Sequence, residues 1–265
     1  MASTQTLPAA LILAGTRPGG DPFALQQGVA HKALIKIADK TLLERVIGAL
    51  RDAGIERIAV SCEAGPVADL ARTLGAEVIA PMPGPSASVG KAFAEIGAPL
   101  LVTTSDHGLL EAGWVTEFID GTPEDADLSI MMAKRRVVEA AVPDTRRTYL
   151  RFADGHWSGC NLFFLQRPEA YRALETWSMV EAHRKRPWRI AARLGLGTLL
   201  SMAFGRLTLA EGLSRLGQRI GVKAALVAAS DGRAAVDIDK PADLELARRL
   251  IGAGISRAST EHFSR

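Results

Sequence analysis

The sequence predicts an α/β domain built on a mostly parallel central sheet flanked by helices. Three observations carry this. From residue 10 to residue 106, short β-rich apolar runs alternate with helix-patterned segments, the sequence form of strands joined by crossover helices. The chain of 265 residues, 48% hydrophobic, can bury a full core as one large domain. No internal repeat and no low-complexity linker divides it.

Taken in order, "ALILAG" (10–15), "RIAVSC" (57–62), "AEVIA" (76–80) and "PLLVTTSD" (99–106) read as strands. Between the first two, "TLLERVIGALRDAG" is a helix, with Thr41 and Glu44 at capping-box spacing and Gly54 where a helix would stop. "PVADLARTLG" and "SASVGKAFAEIG" supply the next two crossovers. After Leu110 a helix is expected near 111–120, then strands at 127–133, 148–153 and 160–165 separated by the turn-like "PDT" and "ADG". Two last strands, 222–229 and 234–239, precede a helix over 241–251. There Pro241 at the first turn and Asp243 near the positive end suit the start. The polar tail "SRASTEHFSR" reads as frayed. The expectation is a single domain over 1–265 with a helical, basic insert at 178–221.

That insert holds the charge asymmetry. Between Glu181 and Lys223 nine Lys/Arg face two Glu, a local +7, so with a whole-chain charge of +3 the remainder carries −4. Within 181–221, Trp188, Ile190, Leu194 and Leu196 form an apolar face flanked by arginines. This composition allows peripheral contact with an anionic membrane surface. A helix packed on its own domain, or a homodimer contact, is the preferred reading because most amphipathic helices face a core. Nucleic acid is not an expected partner, since the segment offers two isolated aromatics among many cations and no stacking platform. Cys62 and Cys160 match no zinc or disulfide spacing and read as core residues of a reduced protein. With no signal pattern at "MASTQTLP" and no apolar stretch of spanning length, the expected location is cytoplasmic, peripheral at the inner membrane face if the insert binds lipid.

Chemistry concentrates first in "ALILAGTRPGGDPFALQQGVAHKALIKI" (10–37). In a parallel sheet, ligands collect at the carboxyl ends of the strands, and the loop after the first strand is the usual phosphate cradle. Gly15, Gly19 and Gly20 let backbone N–H groups approach an anion, and Arg17 and Lys32 can neutralise it. Neither a Walker P-loop nor a G-x-G-x-x-G fingerprint is present. "VDID" (236–239) alternates Asp237 and Asp239 with Val236 and Ile238, so both carboxylates leave one face and can share one cation. Asp106 follows a buried strand, where a carboxylate either caps a turn or binds a cation.

The stretch "LILAGTR...HKALIKIADKTLLERVI" resembles the start of the MobA-like nucleotidyltransferases. "VTTSDHGLL" resembles their strand ending in D-x-P-L, and "VDIDKPADLELA" their D-x-D-T-P-E-D-L closing motif. The resemblance implies a Rossmann-like, GT-A nucleotidyltransferase fold and transfer of a nucleoside monophosphate from an NTP to a phosphorylated small-molecule acceptor, with release of pyrophosphate. It implies nucleotide binding by Leu13, Ala14, Gly15, Thr16, Arg17, Lys32 and Ser88, with Arg17, Lys32 and Asp106 carrying the chemistry. It further implies Mg2+ on Asp106, Asp237 and Asp239, and acceptor contacts from Gly159 and Asn161 in "WSGCNLFFL". The chain departs from the pattern in three places: fifteen residues separate Gly15 from His31, Thr16 replaces the common second glycine, and Gly108 replaces the proline of D-x-P. None of the five histidines forms a catalytic constellation; His31 and His107 receive no role, and His156 and Trp157 read as a turn before a strand. The alternatives are a GT-A glycosyltransferase using a nucleotide sugar and a non-catalytic nucleotide-binding protein.

Overall fold

The computed structural model describes residues 7–16, 19–182 and 206–262. In chain order the first half runs β1 (Ala9–Leu13), α1 (Pro22–Gln26), β2 (Lys36–Ile37), β3 (Lys40–Thr41), α2 (Leu42–Asp52), β4 (Ile58–Ser61), α3 (Pro66–Thr73), β5 (Glu77–Ile79), α4 (Pro85–Ile96) and β6 (Leu100–Thr104). The second half runs α5 (Ala112–Asp120), β7 (Leu128–Lys134), α6 (Arg135–Ala141), β8 (Leu150–Phe152), β9 (Gly155–Leu165), α7 (Tyr171–Ala182), α8 (Leu209–Ile220), β10 (Ala224–Ala228) and α9 (Pro241–His262).

The main sheet has the order β10-β7-β9-β6-β1-β4-β5, with β8 added on β9, and β2-β3 form a separate small pair. It is mixed and mostly parallel: β1 runs parallel to β4 and β6, β4 to β5, and β7 to β10, while β9 runs antiparallel to both β6 and β7. Strand β1 lies between β4 and β6, in register Leu11 to Ala59 and Leu11 to Val102. That central place explains why "ALIL" reads as a continuous apolar run: Ala10, Leu11 and Ile12 are fully buried. The carboxyl ends of β1, β4, β5, β6 and β7 therefore open along one edge.

Local sequence chemistry sets the flanking layers. The expected capping box of α2 is present, with Thr41 Oγ1 accepting from the Glu44 amide at 3.1 Å and Glu44 Oε2 accepting from the Thr41 amide at 2.6 Å. The chain turns away at Gly54, φ +86°, after the helix has ended. On one side of the sheet α2, α3, α5, α6 and α9 join the largest apolar cluster through residues such as Leu42, Ala68, Phe118, Val138 and Leu244. Val89 and Phe93 of α4 pack with Leu11 and Leu165. Leu209 and Leu213 of α8 pack on Met132, Phe152 and Trp157, so this part of the basic segment is a structural layer on the sheet. Residues 183–205, with the expected apolar face at Trp188, Ile190, Leu194 and Leu196, lie outside the described residues.

Three expectations are corrected, and one helix was not foreseen. The segment 234–239 is not a strand: Gly232–Ala235 form a 3-10 turn, and the following VDID is extended without a ladder. Its alternation survives, with Val236 and Ile238 fully buried, because one face packs on the core. Helix α6, with Val138 buried, is not among the expected elements. Strand β9 begins at Gly155 rather than 160, and its pairing with β7 jumps from Phe163–Ile130 to Gly159–Met132, a bulge that carries Asn161 at φ +50°. Helix α9 continues through His262, as the absence of proline after 241 permits. Among the described residues no helix is long and apolar enough to cross a membrane.

Candidate active site

The loop after β1 is tied back to the sheet before it reaches the lysine. The Ala14 amide donates to the Ser61 carbonyl at 2.9 Å, and the Thr16 amide and hydroxyl both reach the Glu63 carboxylate. Asp21 caps α1 by accepting from the Phe23 amide at 2.9 Å. His31, nearly buried, caps the 3-10 turn Lys32–Leu34: its Nδ1 accepts from the Ala33 amide at 3.0 Å. That bond leaves Nε2 as the protonated nitrogen, and the ring lies beside the Gly15 backbone. One imidazole thus joins the end of β1 to the turn that aims Lys32. The Lys32 ammonium ends between two carboxylates, 2.7 Å from Asp106 Oδ2 and 2.6 Å from Asp239 Oδ1, with Asp21 Oδ2 farther off at 4.0 Å.

Asp106 reaches this point because β6 ends beside β1, the Ser105 amide donating to the Leu13 carbonyl at 2.9 Å. Asp239 reaches it because the extended VDID segment crosses the end of β6, the Ile238 amide donating to the Asp106 carbonyl at 2.9 Å. Gly108 makes that crossing possible. A Cβ there would lie 2.5 Å from Leu42 Cδ2 and 3.1 Å from Ile238 Cδ1, so a side chain would press on the residue between the two aspartates. His107, fully buried, stacks on Trp114 with centroids 6.2 Å apart, and its Nδ1 lies 3.5 Å from the Thr103 hydroxyl. Asp243 at the start of α9 accepts from the Asp239 amide at 3.2 Å.

Asp237 faces a second cluster. Its carboxylate pairs with the Arg147 guanidinium, and its Oδ2 accepts from Asn161 Nδ2 at 3.2 Å. Arg147 also donates to the Asp237 carbonyl at 3.3 Å and lies 3.9 Å from Asp243. Asn161 can reach inward because it sits in the β9 bulge, in a left-handed conformation that asparagine tolerates. Gly159, exposed on the same strand, adds no side chain to the opening. On the other side, Ser88 is buried, and its hydroxyl accepts from the Met82 amide at 2.9 Å while lying 3.0 Å from the Gly84 carbonyl. It shapes the 82–84 loop from within. Arg17 lies outside the described residues.

A glycine-bearing loop, a lysine held by two acidic motifs and a bulged strand thus meet at one edge of the sheet. The MobA-like NTP transferase domain matches this sequence over residues 10–195. The chain belongs to the MobA-like NTP transferase family. A hypothetical transferase from Thermus thermophilus is similar at 32% identity and TM-score 0.77, covering 90% of this chain and 100% of its own. CMP:2-keto-3-deoxy-manno-octonic acid synthetase complexed with CTP is similar in fold, with TM-score 0.57 and 16% identity over 94% of this chain and all of its own. So is 4-diphosphocytidyl-2C-methyl-D-erythritol synthase, with TM-score 0.57 and 17% identity at the same coverage. No curated protein matches the sequence significantly.

In this MobA-like chain, burial opposes ionisation of Asp106, but the Lys32 ammonium outweighs it and holds the carboxyl below its ordinary range. Burial likewise opposes charge on Lys32, and the two carboxylates reverse it, raising the ammonium above its usual value. Burial pushes His107 down to about 4, so it is neutral at physiological pH, and lowers His31 as well. Burial also pushes the Cys62 and Cys160 thiols up to about 11 and about 12, which suits core residues. Asp106 Oδ1 is buried behind the oxygen that holds Lys32, and the Thr104 hydroxyl also favours its charged form. Among the described residues no group of three or more His, Cys, Asp and Glu could hold a metal. The two carboxylates on Lys32 nevertheless fit Mg2+, which takes one or two protein carboxylates and fills its shell from phosphates and water.

The structure therefore brings Lys32, Asp106 and Asp239 together beside Leu13–Thr16, and places Asp237 with Asn161 next to them. Sequence reasoning missed Arg147, His31 and His107. His31 had one usable signal, its place immediately before Lys32; Arg147, in "PDTRRTY", had none.

Proposed function

We propose that this chain is a Mg2+-dependent nucleotidyltransferase that joins an NMP from an NTP to a phosphorylated small molecule and releases pyrophosphate. One observation carries the reading: Lys32, on the loop after β1, meets Asp106 and Asp239 from two distant segments at the sheet edge where a triphosphate would lie. Asp106 and Asp239 would hold Mg2+, which when bound withdraws charge from the α-phosphate. Asp237, neutralised by Arg147, then positions Asp239 and presents Asn161 to the acceptor side.

An oxygen of the acceptor phosphate attacks the α-phosphorus. A new P–O bond forms, the bond from the α-phosphorus to the oxygen bridging to the β-phosphate breaks, and pyrophosphate leaves as an anion. A phosphate monoester has a second pKa of about 6, so the nucleophile is already largely deprotonated at neutral pH and requires no protein base. This agrees with two histidines near the site that cap and pack, and with a lysine whose task is charge stabilisation. Backbone groups of Leu13–Thr16 would line the triphosphate; for the Thr16 amide to join them, Glu63 must turn away.

A pyrophosphate-release screen over the four NTPs and a panel of sugar, alditol, cofactor and lipid-headgroup phosphates tests the reading. CTP is the first choice because one fold relative is complexed with CTP. Release confined to one NTP and one acceptor is expected. No release with any pair, together with sugar transfer from a nucleotide sugar, would favour the glycosyltransferase.

A further inference from the structure

We propose that Lys32 holds the metal seat in the free protein, its ammonium standing where the divalent cation would bind, so that metal is accepted only together with a triphosphate that draws the ammonium away. The inference rests on the nucleotidyltransferase reading and concerns the order in which its components assemble.

The geometry is direct. Lys32 Nζ touches one oxygen of Asp106 at 2.7 Å and one oxygen of Asp239 at 2.6 Å, so a single cation already bridges both carboxylates that would ligate Mg2+. The ammonium engages one oxygen of each carboxylate, and the remaining Asp106 oxygen is buried behind it. Adding a divalent ion with Lys32 in place would set a second cation against the same two carboxylate oxygens that the ammonium already holds. Two cations crowded onto the same pair of oxygens repel each other. The seat therefore holds one cation or the other.

Lysine is suited to this exchange. Its ammonium is a compact point charge on a flexible four-carbon stem, and it can swing without moving the backbone. The backbone of the turn is held by His31, so the stem pivots from a fixed base at the loop where phosphates would arrive. An arriving triphosphate offers Lys32 a new set of anionic oxygens and vacates the pair in the same event. Coupling between two ligands of this kind is commonly about 5–150-fold in affinity, and it is reciprocal.

The test measures Mn2+ binding by loss of the free-ion electron paramagnetic resonance signal, using protein without nucleotide. Lys32→Met is expected to bind Mn2+ about tenfold or more tightly than wild type, and Asp106→Asn in the same background to abolish the gain. Equal affinity in wild type and Lys32→Met would overturn the inference. Because Lys32→Met leaves Asp106 unpaired and can weaken the fold, wild type supplies a second measurement, its thermal midpoint with Mg2+ alone, with an α,β-methylene NTP alone, and with both. A combined rise well above the sum is expected; a rise with Mg2+ alone as large as with both would refute the exchange. If pyrophosphate release is never found while Lys32→Met gains Mn2+, the proposed reaction fails and the exchange stands. Turnover without that gain gives the converse.

Discussion

Lys32 and Asp106 form the part-buried pair on which the site is built, and a double-mutant cycle on stability measures it. Their side chains are 15% and 17% exposed, while Asp239 is 53% exposed and contributes less. Breaking a fully buried pair by removing one partner costs about 3–5 kcal/mol; partial exposure brings the expected cost of Lys32→Met to about 2 kcal/mol. At the roughly 2–4 °C per kcal/mol of a chain near this size, the midpoint should fall by about 4–8 °C. Asp106→Asn keeps the shape but not the charge, and the double variant should be more stable than the sum of the singles requires, by about 1–2 kcal/mol. The assay is urea unfolding followed by circular dichroism in the presence of a chelator. The pH window follows from the shifts. Asp106 is held below its ordinary value, so its contribution is full above that value and is lost as pH falls through the lowered one. Lys32 is raised, so its contribution is full below its ordinary value and is lost as pH rises through the raised one. Between pH 5 and pH 9 the coupling should therefore be constant. Additive singles, or a coupling that titrates near neutrality, would falsify the assignment.

Further outcomes follow from neighbouring residues. His107 is neutral in the fold down to about pH 4 but titrates at 6.5 when unfolded, so stability should fall as pH drops from 6.5 to 4 by up to about 3 kcal/mol. His107→Gln should flatten that slope in pH-dependent unfolding, and an unchanged slope would assign it elsewhere. Gly108→Ala places a Cβ 2.5 Å from Leu42 Cδ2; the overpacking should cost about 1–3 kcal/mol and lower kcat with it by shifting Ile238, whereas a stable variant with normal turnover would show slack in the crossing. Arg147→Gln should reduce kcat at least about tenfold, with a smaller change in KM for the NTP, because it releases Asp237 and with it Asp239. A loss confined to KM for the NTP would instead place Arg147 on the nucleotide.

Much of the central fold was legible because its signals are local. The run "ALIL" is apolar on both faces since two parallel neighbours bury it, and Thr41 with Glu44 specifies the start of α2 by hydrogen bonds within four residues. Lys32, Asp106 and Asp239 were legible as parts of motifs, and the extended VDID segment keeps its alternation although no strand pairs with it. What stayed hidden depends on contacts far apart in the chain. Nothing in "PDTRRTY" indicates that Arg147 will meet Asp237, ninety residues on. The β9 bulge that turns Asn161 toward the site arises from a register jump against β7, which no single strand encodes. The two aspartates of VDID meet different partners, Asp239 reaching Lys32 while Arg147 and Asn161 take Asp237.

Attack at the α-phosphorus is the central claim, and label transfer tests it most directly. Once the screen has given an NTP and an acceptor, the NTP is supplied with 32P at the α or the γ position in the presence of Mg2+. Label from the α position should appear in the acceptor product and label from the γ position in pyrophosphate, with both lost in Asp106→Asn. Label from the γ position appearing on the acceptor, or α label remaining in nucleoside diphosphate, would contradict nucleotidyl transfer.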